Sequence, residues 1–197
     1  MRSFRRIKRA VSAGKTRGFC EDGIIYRTKQ MAALHRELKR KLDEGIIESF
    51  RLPSIDEEEK AGKSKLGSKK CFIDGFRFDS LMEGKYYVHL LEEQHSGKVT
   101  GFVRQKVFEL QPSYVSKTTG KKISAIKYIA DFVIGYRDGR KIVADIKGME
   151  TMDFKIKKKM FGYKYPDTEF ICIRQDKKSG EWVTAEEKKR HAGNRKR

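Results

Sequence analysis

Two mainly apolar runs, 128–136 and 141–146, each interrupted by one aspartate, flank Arg137-Asp138-Gly139. Two short runs rich in β-branched and aromatic residues around an Asp-Gly dipeptide predict an antiparallel hairpin. A two-residue Asp138-Gly139 loop would face Asp131 with Ile146 and send Asp131 and Asp145 to opposite faces. A three-residue loop sets the two aspartates directly across from each other. Its usual form ends on a glycine in the left-handed conformation, which suits Gly139, so the sequence predicts that loop or a bulge restoring the same register.

The pattern extends in both directions. Leu81, Tyr86, Leu90 and Leu91 fall near helical spacing over 80–94, and Gly97 is a plausible stop. Strands follow over 99–111 and 123–136, with 141–146 as the hairpin's second strand. A second helix over 151–163 places Ile156, Met160 and Tyr163 on one face, and 169–173 is a short last strand. The fold class is α+β. A further helix near 29–43, followed by a strand or extended segment, belongs to a unit over 19–52. Residues 53–70 lack an apolar period and read as a linker to a core over 71–175.

Shifting the chain by 52 residues aligns Asp22-Gly23 with Asp74-Gly75, Leu38 with Leu90, Gly45 with Gly97 and Phe50 with Phe102. Duplication and chance likeness of two small α/β units both account for this. Met31 stands where the second copy has Glu83.

Charge changes the picture next: 46 Lys and Arg stand against 27 Asp and Glu, a formal net charge of +19. Such a surplus draws phosphates without regard to sequence and points to a nucleic-acid partner. The segments 1–18 and 176–197 read as a basic flexible arm and a basic tail. Lys155, Lys157, Lys158 and Lys159 read as phosphate contacts on the polar side of the second helix, with a solvated lysine face as the alternative. Three dispersed cysteines and four scattered histidines show neither a disulfide framework nor a zinc pattern. No apolar stretch suits a membrane span, and no glycine loop suits a nucleotide cofactor.

Asp131 and Asp145 lie inside runs rich in Ile, Val, Tyr and Phe, where a carboxylate costs free energy unless it has a partner or a task. Two facing aspartates offer hard oxygen ligands to a divalent cation. Lys147, two positions beyond Asp145, projects from the same side of an extended strand. That set suits metal-dependent phosphodiester hydrolysis; an ordinary hairpin with solvated aspartates is the alternative.

These residues resemble the PD-(D/E)xK nuclease superfamily, and within it a phage-encoded group related to Holliday-junction resolvases. The resemblance covers roughly residues 70–173 and rests on 73–80 with Glu83, 108–112, 128–132, 145–148 and 154–161. It implies a restriction-endonuclease-like core of helix, three antiparallel strands, helix and strand, to which the unit over 19–52 adds an N-terminal helix-strand extension. It also implies that Glu83, Asp131, Asp145 and the Ile146 carbonyl hold Mg2+ or Mn2+, while Lys147 orients the attacking water. Gln111, with Glu109 as the weaker choice, is a candidate on the first strand, against core or edge placement. The expected activity is that of a Mg2+-dependent endonuclease of branched or structured DNA, cytoplasmic in a phage-infected host and suited to a homodimer. A less selective nuclease and a non-catalytic nucleic-acid-binding protein are the alternatives, and RNA stays open as a substrate. Ala130 stands where the superfamily pattern has proline.

Overall fold

The computed structural model describes residues 6–11, 14–54, 56–57, 69–146, 150–176, 179–184 and 187, with 6–17 as backbone alone. The chain divides into two compact units, Met1–Glu92 and Glu93–Arg197. It is mixed α+β, with three helices among the described residues and mostly antiparallel sheets. No helix of the described residues is long and apolar enough to cross a membrane.

The first unit is built from two modules of the same plan. In the first, β1 (Arg6–Val11), β2 (Gly14–Glu21) and β3 (Ile24–Tyr26) form a sheet in that order, followed by α1 (Lys29–Asp43). In the second, β4 (Phe50–Arg51), β5 (Cys71–Ile73) and β6 (Phe76–Phe78) do the same, followed by α2 (Leu81–His95), whose last turn enters the second unit. The 52-residue offset holds at the level of single turns. Asp22-Gly23 and Asp74-Gly75 both have two consecutive positive φ angles, as a two-residue hairpin of right-handed strands needs. Thr28 and Ser80 cap the helices, accepting from the Met31 and Glu83 amides at 3.2 Å each. From the same helix position, His35 Nε2 meets Asp22 Oδ2 at 3.2 Å and the Tyr87 hydroxyl donates to Asp74 Oδ2 at 3.0 Å. Different side chains thus make the same helix-to-turn link in the two copies.

Residues 1–18, expected as a flexible arm, carry β1 and most of β2. A ladder uses backbone donors and acceptors, so a run of basic side chains does not prevent one. Residues 1–5 and most of the expected linker lie outside the described residues.

In the second unit the main sheet has the order β13-β12-β11-β10-β7. It consists of β7 (Val99–Gln111), β10 (Ile126–Tyr136), β11 (Lys141–Ile146), β12 (Glu169–Gln175) and β13 (Trp182–Thr184). β7, β10 and β11 are antiparallel; β11 and β12 run parallel and are joined through α3 (Met152–Lys164). The strand expected over 123–136 starts at Ile126, because β8 (Tyr114–Val115) and β9 (Lys122–Ile123) close a small hairpin of their own. β13 falls in the expected basic tail, where Val183 and Trp182 pair with Arg174 and Gln175.

The 137–139 loop has the register read from the sequence: Phe132 faces Ala144 and Gly135 faces Lys141. The Tyr136 amide donates to the Arg140 carbonyl at 2.9 Å, and Gly139 takes φ +86°.

α3 faces the sheet differently from the expected wheel. It buries Phe154 and Phe161 among Leu110, Tyr128, Val143 and Cys172, with Met160, Tyr165 and Phe170 packed against them. Ile156 is 57% exposed and Tyr163 92%. The larger apolar area of the two phenylalanines outweighs that of Ile156, and rotates the helix accordingly.

Candidate active site

The site begins where two strands part. The β10–β11 ladder runs from Gly135–Lys141 to Phe132–Ala144 and stops one step short of Asp131 and Asp145. Beyond that step β11 continues beside β12, pairing Asp145 with Cys172, while β10 continues beside β7, pairing Ala130 with Lys106. Asp131 spans the opening: its Oδ2 accepts from the Ile146 amide at 2.7 Å. One aspartate is thereby held against the peptide that follows the other.

β10 also changes face at this level. Tyr128 and Ala130 share one core cluster with Val133, whereas strict alternation would place them on opposite faces. The β7–β10 ladder steps from Ala130–Lys106 to Phe132–Arg104, skipping the level of Asp131 and Gln105. Gln105 there takes φ +53°. Such a conformation costs a non-glycine residue about 1 kcal/mol or more and clusters at functional sites.

Asp145 is 1% exposed, and its Oδ1 accepts from the Tyr128 hydroxyl at 2.6 Å. Burial, then the neighbouring Asp145 charge, pushes the Tyr128 hydroxyl far above its ordinary range. Tyr128 therefore stays a donor at every working pH. Two residues past Cys172 on β12, the buried Arg174 Nε has no hydrogen-bond partner among the described residues.

The sequence candidates do not all meet. Asp131, Asp145 and Ile146 come together. Glu83 belongs to the other unit, on the first turn of α2, where its Oε1 accepts from the Ser80 hydroxyl at 2.8 Å in a reciprocal cap. Lys147 lies outside the described residues. Gln111 pairs with Ile126 at the far end of β7, about 16 Å along the ladder from Asp131 at strand rise. Glu109 forms an ion pair with Lys164 at 3.6 Å. At the level of Asp131, β7 presents Gln105 instead. Sequence reading missed Gln105 and Tyr128 because a positive φ at glutamine carries no compositional signal and a tyrosine in an apolar run reads as core.

The four lysines of α3 also separate. Lys155 and Lys159 are exposed, and Lys157 pairs with Asp153 at 3.1 Å. Lys158 lies back over the Phe170 ring at 5.6 Å and donates to Cys172 Sγ at 3.7 Å, its stem covering apolar surface.

Burial raises the Cys172 thiol to about 11, against the opposing Lys158 charge, and raises Cys71 to about 12, with Glu83 adding to the effect. Folding favours both neutral thiols, so their contribution to stability is complete below pH 9 and is lost as pH rises through those values. At pH 8 iodoacetamide should modify the half-buried Cys20 before either, and all three after denaturation. Fast labelling of Cys172 in the native protein would contradict its burial.

No group of three or more His, Cys, Asp or Glu suited to a metal is gathered among the described residues. Mg2+ takes one or two protein carboxylates and fills its other positions with water and substrate phosphate, so a pair of aspartates fits that ion. No curated protein and no solved structure matches the chain. A family match covers residues 63–180, from before β5 through β12, and so spans α2, the parted strands and α3. By that match the chain belongs to the family described as protein of unknown function (DUF1064).

Proposed function

We propose that this protein is a Mg2+- or Mn2+-dependent DNA endonuclease with a restriction-endonuclease-like core, acting on branched or otherwise structured DNA. The observation that carries the reading is the parting of β10 and β11 at Asp131 and Asp145, with the Asp131 carboxylate on the Ile146 amide. A strained Gln105 and a fully buried carboxylate beside parting strands are costly features for a sheet that only has to pack.

In this reading Asp131, Asp145 and the Ile146 carbonyl would hold the cation. The ion would supply a water of lowered pKa and charge neutralisation at phosphorus. The residues of the chain do the rest. The Tyr128 hydroxyl fixes the orientation of the Asp145 carboxylate through Oδ1. Lys147, two positions beyond Asp145, orients the attacking water and offers positive charge where the phosphate gains negative charge. A phosphate oxygen would give the buried Arg174 Nε an acceptor. The net charge of +19 holds the polymer, and the exposed Lys155 and Lys159 add to it beside the site.

The burial of Asp145 beneath Tyr128 also suits a structural carboxylate in a non-catalytic DNA-binding protein. Labelled four-way junction, flap, nicked, duplex and single-stranded DNA, each with Mg2+, Mn2+ or EDTA, separate the readings. Metal-dependent cutting, strongest on a branched substrate, is expected. Binding of all of them with no cutting would favour the structural carboxylate.

A further inference from the structure

We infer that the β-ribbon leaving the sheet beside Asp131 is a second DNA-contacting element, seated in the major groove of a duplex arm next to the cut. The inference rests on the nuclease reading for the position of the cut, and on the ribbon itself for the rest.

The ribbon is made of the second half of β7, the first residues of β10 and the β8–β9 hairpin. Residues 104–130 hold six cations, Arg104, Lys106, Lys117, Lys121, Lys122 and Lys127, against one acid, Glu109. That acid is engaged by Lys164. The five lysines are exposed. The tip is held in shape by its own backbone: the Ser116 amide donates to the Lys121 carbonyl at 2.9 Å, and the Gly120 amide to the Ser116 carbonyl at 2.8 Å.

Apolar groups lie among the cations. Tyr114, Val115, Val107 and Ile129 are each more than half exposed, and Val107 faces Ile129 across the ladder. A second copy of the chain is a poor occupant, because it would bring two ribbons of like charge together. Duplex DNA suits both features: phosphates for the lysines, and base edges and thymine methyls for the exposed side chains. The B-form major groove is about 12 Å wide and admits a two-stranded ribbon, whereas the deep, narrow groove of A-form RNA does not. From Asp131 to Lys122 is nine residues, up to about 30 Å of extended chain. The ribbon therefore reaches about eight base pairs from a cut at Asp131.

The test uses the full-length protein and a duplex in EDTA, so that binding is read without cleavage. The triple variant Lys117→Ser/Lys121→Ser/Lys122→Ser is compared with wild type over a range of salt, with Tyr114→Ala as a second variant outside the charge set. The triple variant should lower the slope of log K against log salt by about two to three. Tyr114→Ala should weaken binding severalfold with the slope unchanged. Shortening the duplex arm below about eight base pairs should weaken wild-type binding and leave the triple variant unaffected. Unchanged slope and affinity in both variants would overturn the proposal. A change of oligomeric state with an unchanged slope would overturn it in favour of a second copy. Failure of wild type to cut any DNA, with these binding shifts intact, would overturn the nuclease reading and leave the ribbon standing.

Discussion

Asp145→Asn should lose DNA cleavage by on the order of 10^3-fold or more and still bind DNA. The substitution keeps the shape of the side chain, and its amide oxygen can still accept from the Tyr128 hydroxyl that now meets Asp145 Oδ1 at 2.6 Å. It removes one negative charge from a position that is 1% exposed, and a neutral amide oxygen is a weaker ligand for a hard divalent cation than a carboxylate. A loss of 10^3 corresponds to about 4 kcal/mol of transition-state stabilisation, within reach of one metal ligand in a dry site. DNA affinity rests on the surplus of 46 basic over 27 acidic residues and should hold or rise slightly. Cleavage rate, binding anisotropy and circular dichroism on one preparation separate the effects. A variant that cuts within about tenfold of wild type would make Asp145 structural. One that fails to fold would place its role in the Tyr128 hydrogen bond.

The largest effect on stability is expected at Phe161, which belongs to α3 and is fully buried. Its ring meets those of Phe108 at 5.0 Å, Phe170 at 5.1 Å and Tyr128 at 5.9 Å. Phe161→Ala removes the centre of that aromatic cluster and should cost about 3–5 kcal/mol, a fall in Tm of roughly 10 °C. Phe161→Leu keeps most of the volume and should cost under about 1.5 kcal/mol. Denaturant unfolding reads both. A loss below about 1 kcal/mol for the alanine variant would contradict the packing of α3 over β10. The same ring packs on Tyr128, which fixes Asp145, so the alanine variant should also slow cleavage at temperatures where it remains folded.

The sequence determines more of the frame than of the site. The register of the 137–139 hairpin could be read because a three-residue loop with a left-handed glycine fixes which residues face each other. The 52-residue repeat could be read from its turns, since two Asp-Gly pairs at positive φ recur with their helices and glycine stops. The change of face at Asp131 could not. Residues on both sides of it are apolar and buried, so the pattern shows no break where Val133 joins Tyr128 and Ala130 on one face. Gln105 escaped for a related reason: its strain is a property of the ladder, not of glutamine. The buried face of α3 was misassigned because Ile156, Met160 and Tyr163 have good helical spacing, while the aromatic pair Phe154 and Phe161 has more area to bury. β1 and β2 were hidden beneath their own charge. The meeting of Asp131 with the Ile146 peptide follows from the hairpin register together with the parallel pairing of β11 to β12, and only the first of these is written locally in the chain.

The central claim is that Asp131 and Asp145 form a metal-dependent centre for phosphodiester cleavage. Its most direct test is single-turnover cutting of an end-labelled four-way DNA junction by the wild-type protein in Mg2+ and in EDTA, with Asp131→Asn beside it. Cutting is expected in Mg2+, with none in EDTA and none by Asp131→Asn, and all three samples should bind the junction. Cutting that persists in EDTA or in Asp131→Asn would contradict it, and so would a wild-type protein that binds the junction and leaves it whole.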